Sequence, residues 1–252
     1  MQKSQYLNVM HDMWSQCQGC ALSCERRNVV FGYGNPDAQV MIIGEAPGEN
    51  EDASGLPFVG KAGLLLDQYL GQVSSRIEVI ETITELNAIK GTSQAAEHRR
   101  NEKRITLREL LTQEFYFTNV VMCRPPENRD PLPEEINACR TRLLEQIYTV
   151  DPVLIIAAGR IAAEALLQKK VAITAARGQL FDIEFQGRAE VIRYTAMAVL
   201  HPSYLARVND FKQPGGECIK TYRDFLQAMH MLDEYNVRHY GIPKPSLRPR
   251  ME

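Results

Sequence analysis

Four cysteines, one asparagine and one histidine are the residues of this chain whose types and spacing invite chemistry. Cys17-Gln-Gly-Cys20 lets two thiolates reach one metal from a single tight turn. Cys123 and Cys139, sixteen positions apart across the proline-rich RPPENRDPLPEEINA, supply two more. Four thiolates suit either zinc or a four-iron cluster, while Cys24 and Cys218 fall outside the pattern and read as ordinary thiols. His201, in His201-Pro202-Ser203, either caps the turn that follows it or donates a hydrogen bond into a site. Asn119 carries a donor and an acceptor on one carboxamide, although asparagine at a strand end is also a common turn former. Gly44-Glu45-Ala46-Pro47-Gly48 is a Gly/Pro loop whose backbone amides can approach a ligand closely, with Glu45 its nearest carboxylate.

The elements that must position these residues are legible as apolar runs. Gln39–Gly44, Phe115–Val121, Val153–Ala157 and Ala196–Leu200 read as buried strands, and Lys61–Leu70, Pro133–Val150 and Gly159–Gln168 as helices between them. Alternation of this kind predicts an α/β fold, a three-layer αβα sandwich around a central, mainly parallel four-stranded sheet. Leu180–Tyr194 reads as a hairpin turning at Gln186-Gly187, and Gly216–Tyr235 as a final amphipathic helix. Gly44, Asn119 and His201 each follow a strand, where open α/β sheets bind ligands.

The 252 residues are 44% hydrophobic and carry a net charge of −2, so any attraction for nucleic acid must be local. Two basic stretches offer it, HRRNEKRITLR over 98–108 and the tail from Arg238, with Lys244, Arg248 and Arg250. The composition shifts over 73–113, which predicts an inserted helical pair in a domain spanning 1–236. Pro243, Pro245 and Pro249 predict an extended basic tail over 237–252. No stretch approaches the ~18 apolar residues of a membrane span and no signal-peptide pattern is present, so the expectation is a cytoplasmic protein without a membrane partner.

Three blocks then occur in order: Gly44-Glu45-Ala46-Pro47-Gly48-Glu49-Asn50-Glu51-Asp52 with Gly55-Leu56-Pro57-Phe58-Val59-Gly60-Lys61-Ala62-Gly63; Thr118-Asn119-Val120-Val121-Met122-Cys123-Arg124-Pro125-Pro126-Glu127-Asn128-Arg129; and His201-Pro202-Ser203-Tyr204-Leu205. Together with the cysteine spacing they resemble the family 4 uracil-DNA glycosylases, over most of 17–70 and 115–232. The resemblance implies a [4Fe-4S] cluster on Cys17, Cys20, Cys123 and Cys139, and hydrolysis of the N-glycosidic bond of uracil in single- or double-stranded DNA by a monomer. It implies that His201 donates to uracil O2, that Asn119 reads N3–H and O4, and that Phe58 stacks on the base. Gly44, Ala46 and Ser203 fall in the substrate-binding loops. Ala46 stands where many other uracil-DNA glycosylases carry a water-activating aspartate, which leaves Glu45 and Asn128 to compensate, and Glu51 or Asp52 to line the pocket near C5. Arg124, Arg129, Lys61 and the 99–108 stretch are candidate phosphate contacts, and Tyr204 and Leu205 candidate wedges into the duplex. Alternatives are a glycosylase for other deaminated bases, a covalent DNA trap, and a DNA-binding accessory module docking a replication or repair partner through 73–113. The trapping branch carries a histidine soon after its second block, and none occurs here between Cys123 and His201.

Overall fold

A computed structural model describes residues 2–186 and 191–242, and the tail prolines and lysine from Pro243 onward lie outside the described residues. In chain order the elements are α1 (Lys3–Ser15), β1 (Tyr33–Gly34), β2 (Val40–Gly44), α2 (Glu49–Ser54), α3 (Lys61–Val73), α4 (Ile77–Ala88), α5 (Gln94–Thr112), β3 (Phe115–Asn119), α6 (Pro133–Val150), β4 (Leu154–Ala158), α7 (Arg160–Leu167), α8 (Ile173–Ala176), β5 (Leu180–Gln186), β6 (Val191–Val199), α9 (Pro202–Val208) and α10 (Glu217–Tyr240). The strands form one sheet in the order β1-β3-β2-β4-β6-β5.

The four inner strands are parallel, as predicted: Gly44 pairs with Asn119, and Ala158 with Val199. The sheet nevertheless has six strands rather than four, because β1 and β5 add antiparallel edges to β3 and β6. β1 is only two residues long, too short for any periodic signal. The predicted hairpin and the predicted strand at 196–200 prove to share one nine-residue strand, β6, whose first half is half-exposed and whose second half is buried. α10 runs on to Tyr240, past residue 236, where Gly241 closes it in the left-handed conformation.

Strand alternation divides the core between two faces. Val40, Ile42, Phe115, Phe117 and Ile156 point toward α3, α4, α5, α9 and α10. Met41, Ile43, Tyr116, Ile155 and Ala157 point toward α1, α6 and α7. β2, β3 and β4 are buried along their whole length, as parallel strands covered on both faces must be. No helix among the described residues is long and apolar enough to cross a membrane.

Leu205 is fully buried where α9 packs on α3, so it belongs to the core and does not serve as a duplex wedge; Tyr204 beside it is 39% exposed. Leu205→Ala is expected to destabilise the fold by about 2–5 kcal/mol, the cost of a buried Leu→Ala cavity. Tyr204→Ala should stay within about 0.5 kcal/mol, both read from urea denaturation.

Candidate active site

All four parallel strands end on one rim. Gly44 closes β2, Asn119 closes β3, Gly159 follows β4, and His201 follows β6 by two residues. Between them lies a pocket of about 330 Å³ lined by residues that include Glu45, Ala46, Glu51, Phe58, Asn119, Asn128, His201 and Ser203. Gly44 lies behind two of these side chains: a Cβ there would collide with the Asn119 carboxamide and the Phe58 ring. The pairing of β2 and β3 continues past the strands, with the Val120 and Val121 amides donating to the carbonyls of Gly44 and Glu45 at 2.9 and 3.2 Å.

His201 is both a cap and a pocket group. Its Nδ1 accepts the Ser203 backbone N–H at 3.1 Å and lies 2.7 Å from the Ser203 hydroxyl. A backbone amide can only donate, so Nδ1 is unprotonated and the neutral ring carries its proton on Nε2. Desolvation, with a smaller contribution from Arg207, holds the His201 pKa down at about 4. Gly159, at φ +99°, leaves the ring its space: a Cβ there would sit 2.9 Å from the His201 Cβ.

Behind Asn119 stands a fully buried guanidinium. Arg142 on α6 donates to the carbonyls of Asn119 and Val120, both at 2.8 Å, and to the Thr118 hydroxyl at 3.0 Å and Gln146 at 2.6 Å. These bonds hold the end of β3 rigid. Glu45 is half-buried, and desolvation first, then the negative charge of Asp130, push its pKa up to about 7 against the opposing charge of Arg160. Asp130 and Arg160 are themselves paired at 2.6 Å. Asn128 has a left-handed backbone, φ +56°, and its Oδ1 accepts from Arg124 at 2.8 Å.

The two acidic candidates after the loop part company. Glu51 lines the pocket while its carboxylate accepts from the Gly48 and Gly60 amides at 3.1 and 2.7 Å. Asp52 is buried away from it, accepting from the amides of Arg27 and Asn28. Consecutive helical residues point about 100° apart, so only one could face the base. Arg207, Asp130, Arg160 and Arg142 escaped the sequence reading; a lone arginine or aspartate carries no local signal of what it will pack against.

The cysteines of the pattern gather on the opposite face of β3. Cys123 and Cys139 are buried in the α1–α6 core, with Cys17 and Cys20 packed against it, while Cys24 is exposed and Cys218 is buried in the other core. Burial raises the Cys20 and Cys123 thiols, and each also feels the charge of Cys139. Arg26 donates to the Cys123 sulfur at 3.3 Å and to the Cys17 carbonyl at 2.5 Å. Among the described residues no group of three or more His, Cys, Asp or Glu side chains is placed to hold a metal ion.

The predicted phosphate contacts over 99–108 are largely occupied. Arg100 and Arg104 pair with Glu97, Lys103 with Glu85, and Arg108 turns inward to Asp67; Arg99 has no ion pair among the described residues. Arg129 pairs with Glu135 at 2.7 Å and also lines the pocket.

The family profile of the uracil DNA glycosylase superfamily matches residues 31–227. A type-4 uracil-DNA glycosylase of Thermotoga maritima is 33% identical over 228 residues, covering 89% of this chain and 97% of its own. One from Archaeoglobus fulgidus is 33% identical over 221 residues, covering 83% and 94%. The chain belongs to the uracil DNA glycosylase superfamily. Its alignment with these relatives over nearly their whole length places it in the type-4 branch. A type-5 uracil-DNA glycosylase of Thermus thermophilus is 31% identical, over 55% of this chain and 53% of its own.

Two titrations follow from the geometry of this superfamily pocket. The Glu45 carboxyl should titrate near pH 7 by carbon-13 NMR, and Asp130→Asn should lower that midpoint by removing a negative neighbour. The same carboxyl titrating at its ordinary value, or indifferent to Asp130, would contradict the described surroundings.

Proposed function

We propose that this chain is a DNA repair hydrolase that cleaves the N-glycosidic bond of uracil in DNA, releasing free uracil and leaving an abasic site. One observation carries the reading: the pocket sets a neutral imidazole with its proton on Nε2, a carboxamide on a strand end whose main-chain carbonyl Arg142 holds, and a phenyl ring around one cavity. A duplex hides the target, so the nucleotide must be flipped in and read along its Watson–Crick edge. The Asn119 carboxamide accepts from N3–H and donates to O4, which matches uracil and mismatches cytosine. Phe58 stacks on the base, and Gly44, Ala46, Glu51 and Ser203 shape the remaining walls.

As the bond breaks, negative charge gathers on the base and positive charge on the sugar. His201 Nε2–H donates to O2, and such a preorganised donor in a dry site contributes several kcal/mol to the transition state. Its depressed pKa keeps it a neutral donor at working pH, so it stabilises the charge without being titrated. Glu45, once ionised, stabilises the sugar cation or orients the attacking water, with Asn128 at its side. The rate should therefore rise with pH through about 7 and then level. Exposed Arg207 and Lys61 supply attraction for the DNA backbone near the pocket.

Cys17, Cys20, Cys123 and Cys139 would hold a [4Fe-4S] cluster. The all-sulfur donor set of four cysteines suits one, in the spacing that the resemblance to the type-4 enzymes implies. Arg142 supports the same assignment: it is fully buried, its Nε has no hydrogen-bond partner, desolvation works against its charge, and a thiolate at Cys139 would favour it. When bound, the cluster would supply a cross-link and a local negative charge, since hydrolysis of uracil needs no electron. Around this unit, 1–236, we take 73–113 as an insertion, and the whole as a cytoplasmic monomer acting on single- or double-stranded DNA.

Release of free uracil from a labelled oligonucleotide tests the activity, and Asn119→Ala or His201→Ala should slow single-turnover excision by about 100-fold or more. Near-normal turnover in either folded variant would remove that residue from the mechanism. Iron and sulfide should each approach about four per chain. Serine at any of the four cysteines should lower both, and serine at Cys24 or Cys218 should leave both unchanged; stoichiometric zinc with no iron would overturn the cluster.

A further inference from the structure

Phe58 has a left-handed backbone, φ +56°, which costs a non-glycine residue about 1–3 kcal/mol and persists only when its surroundings impose it. The imposing group comes from α5. Arg108 donates to the Phe58 carbonyl at 2.5 Å, and more weakly to the Gly63 carbonyl at 3.4 Å. Its guanidinium is held from the other side by Asp67 of α3, at 2.7 Å to Oδ1 and 3.0 Å to Oδ2, in an ion pair whose side chains are only 17% and 5% exposed. It also lies over the Phe117 ring, 4.8 Å from the centroid, and Phe117 in turn meets the Phe58 ring edge-on at 6.1 Å. α3 completes the clamp, since a Cβ on Gly63 would collide with the Phe58 main chain.

We propose that Arg108 is the positioning residue for the base-stacking Phe58, so that the α4–α5 pair acts on uracil recognition from inside the fold. Phe58 bonds the base only through its ring, and a ring on an unrestrained left-handed backbone would relax out of place. Arg108 holds the carbonyl, and Phe117 fixes the ring angle. Lysine cannot replace it, because one ammonium cannot pair with Asp67 while bonding the Phe58 carbonyl and presenting a planar face to Phe117.

The inference rests on the uracil-pocket reading, and a double-mutant cycle separates the two. In the otherwise wild-type protein, Arg108→Met should weaken engagement of uracil-containing DNA by about 10- to 100-fold, the scale of losing a charge-assisted hydrogen bond. The rate at saturating enzyme should change by less than about threefold, and binding to ordinary DNA should not move. In a Phe58→Ala background the same substitution should cause no further loss, because the group it positions is gone. Arg108→Lys should give an intermediate loss, and it decides the matter by the same cycle if Arg108→Met does not keep its fold by circular dichroism. Equal losses in both backgrounds, or no loss in the wild-type background, would overturn the inference. A wild-type protein that releases no uracil would overturn the function instead, and free-uracil binding by calorimetry would then score the Arg108 variants directly, no weakening again overturning the inference.

Discussion

Gly44 has no side chain because the Asn119 carboxamide and the Phe58 ring already fill the space where one would stand. The pocket follows from that exclusion. The parallel register that sets Gly44 opposite Asn119 brings two strand ends into contact, and the missing Cβ lets the Asn119 carboxamide and the Phe58 ring stand together on one wall of the pocket. His201 arrives from the end of β6 only because Gly159, at the end of β4, likewise leaves its ring room. Two glycines at strand ends thus leave room for the side chains that line the cavity, and the helices serve to hold what the glycines admit.

On the proposed reading, the charges are arranged so that the group that would donate to the base is uncharged and the group that would face the sugar can be charged. Desolvation acts on both. It removes the proton that would make His201 a cation and tends to keep one on Glu45, with Asp130 strengthening the second effect and Arg160 opposing it. Farther back, Arg142 occupies a fully buried position in which its hydrogen bonds run to carbonyls, a hydroxyl and an amide oxygen. A buried cation is costly unless charge compensates it. Desolvation accordingly works against its charge, and an ionised Cys139 would favour it, which ties the end of β3, and so Asn119, to the cysteine site.

Much of this was legible in the sequence because it rests on short-range rules. Apolar runs marked the four parallel strands, the Pro at the start of α6 marked its first turn, and the motif residues fell at strand ends, where such sheets place ligands. What was illegible depends on partners distant in sequence. Arg108 reads as one more cation in a basic stretch until the fold lays α5 across α3, 41 residues away along the chain at Asp67. Glu51 and Asp52 are interchangeable by spacing, and only the direction of α2 separates the pocket wall from the anchor for Arg27 and Asn28. β1 escaped because two residues carry no period. Leu205 was misread because apolar character alone does not distinguish a wedge from a core residue.

The most direct test of the account is a crystal structure of the protein with uracil bound. It should place O2 of the base at about 2.7–3.2 Å from His201 Nε2, the Asn119 carboxamide on N3 and O4, and the Phe58 ring against the face of the base. Uracil bound away from Asn119 and Phe58, or bound there with Nδ1 of His201 turned toward it and the Ser203 amide left without its acceptor, would contradict the account.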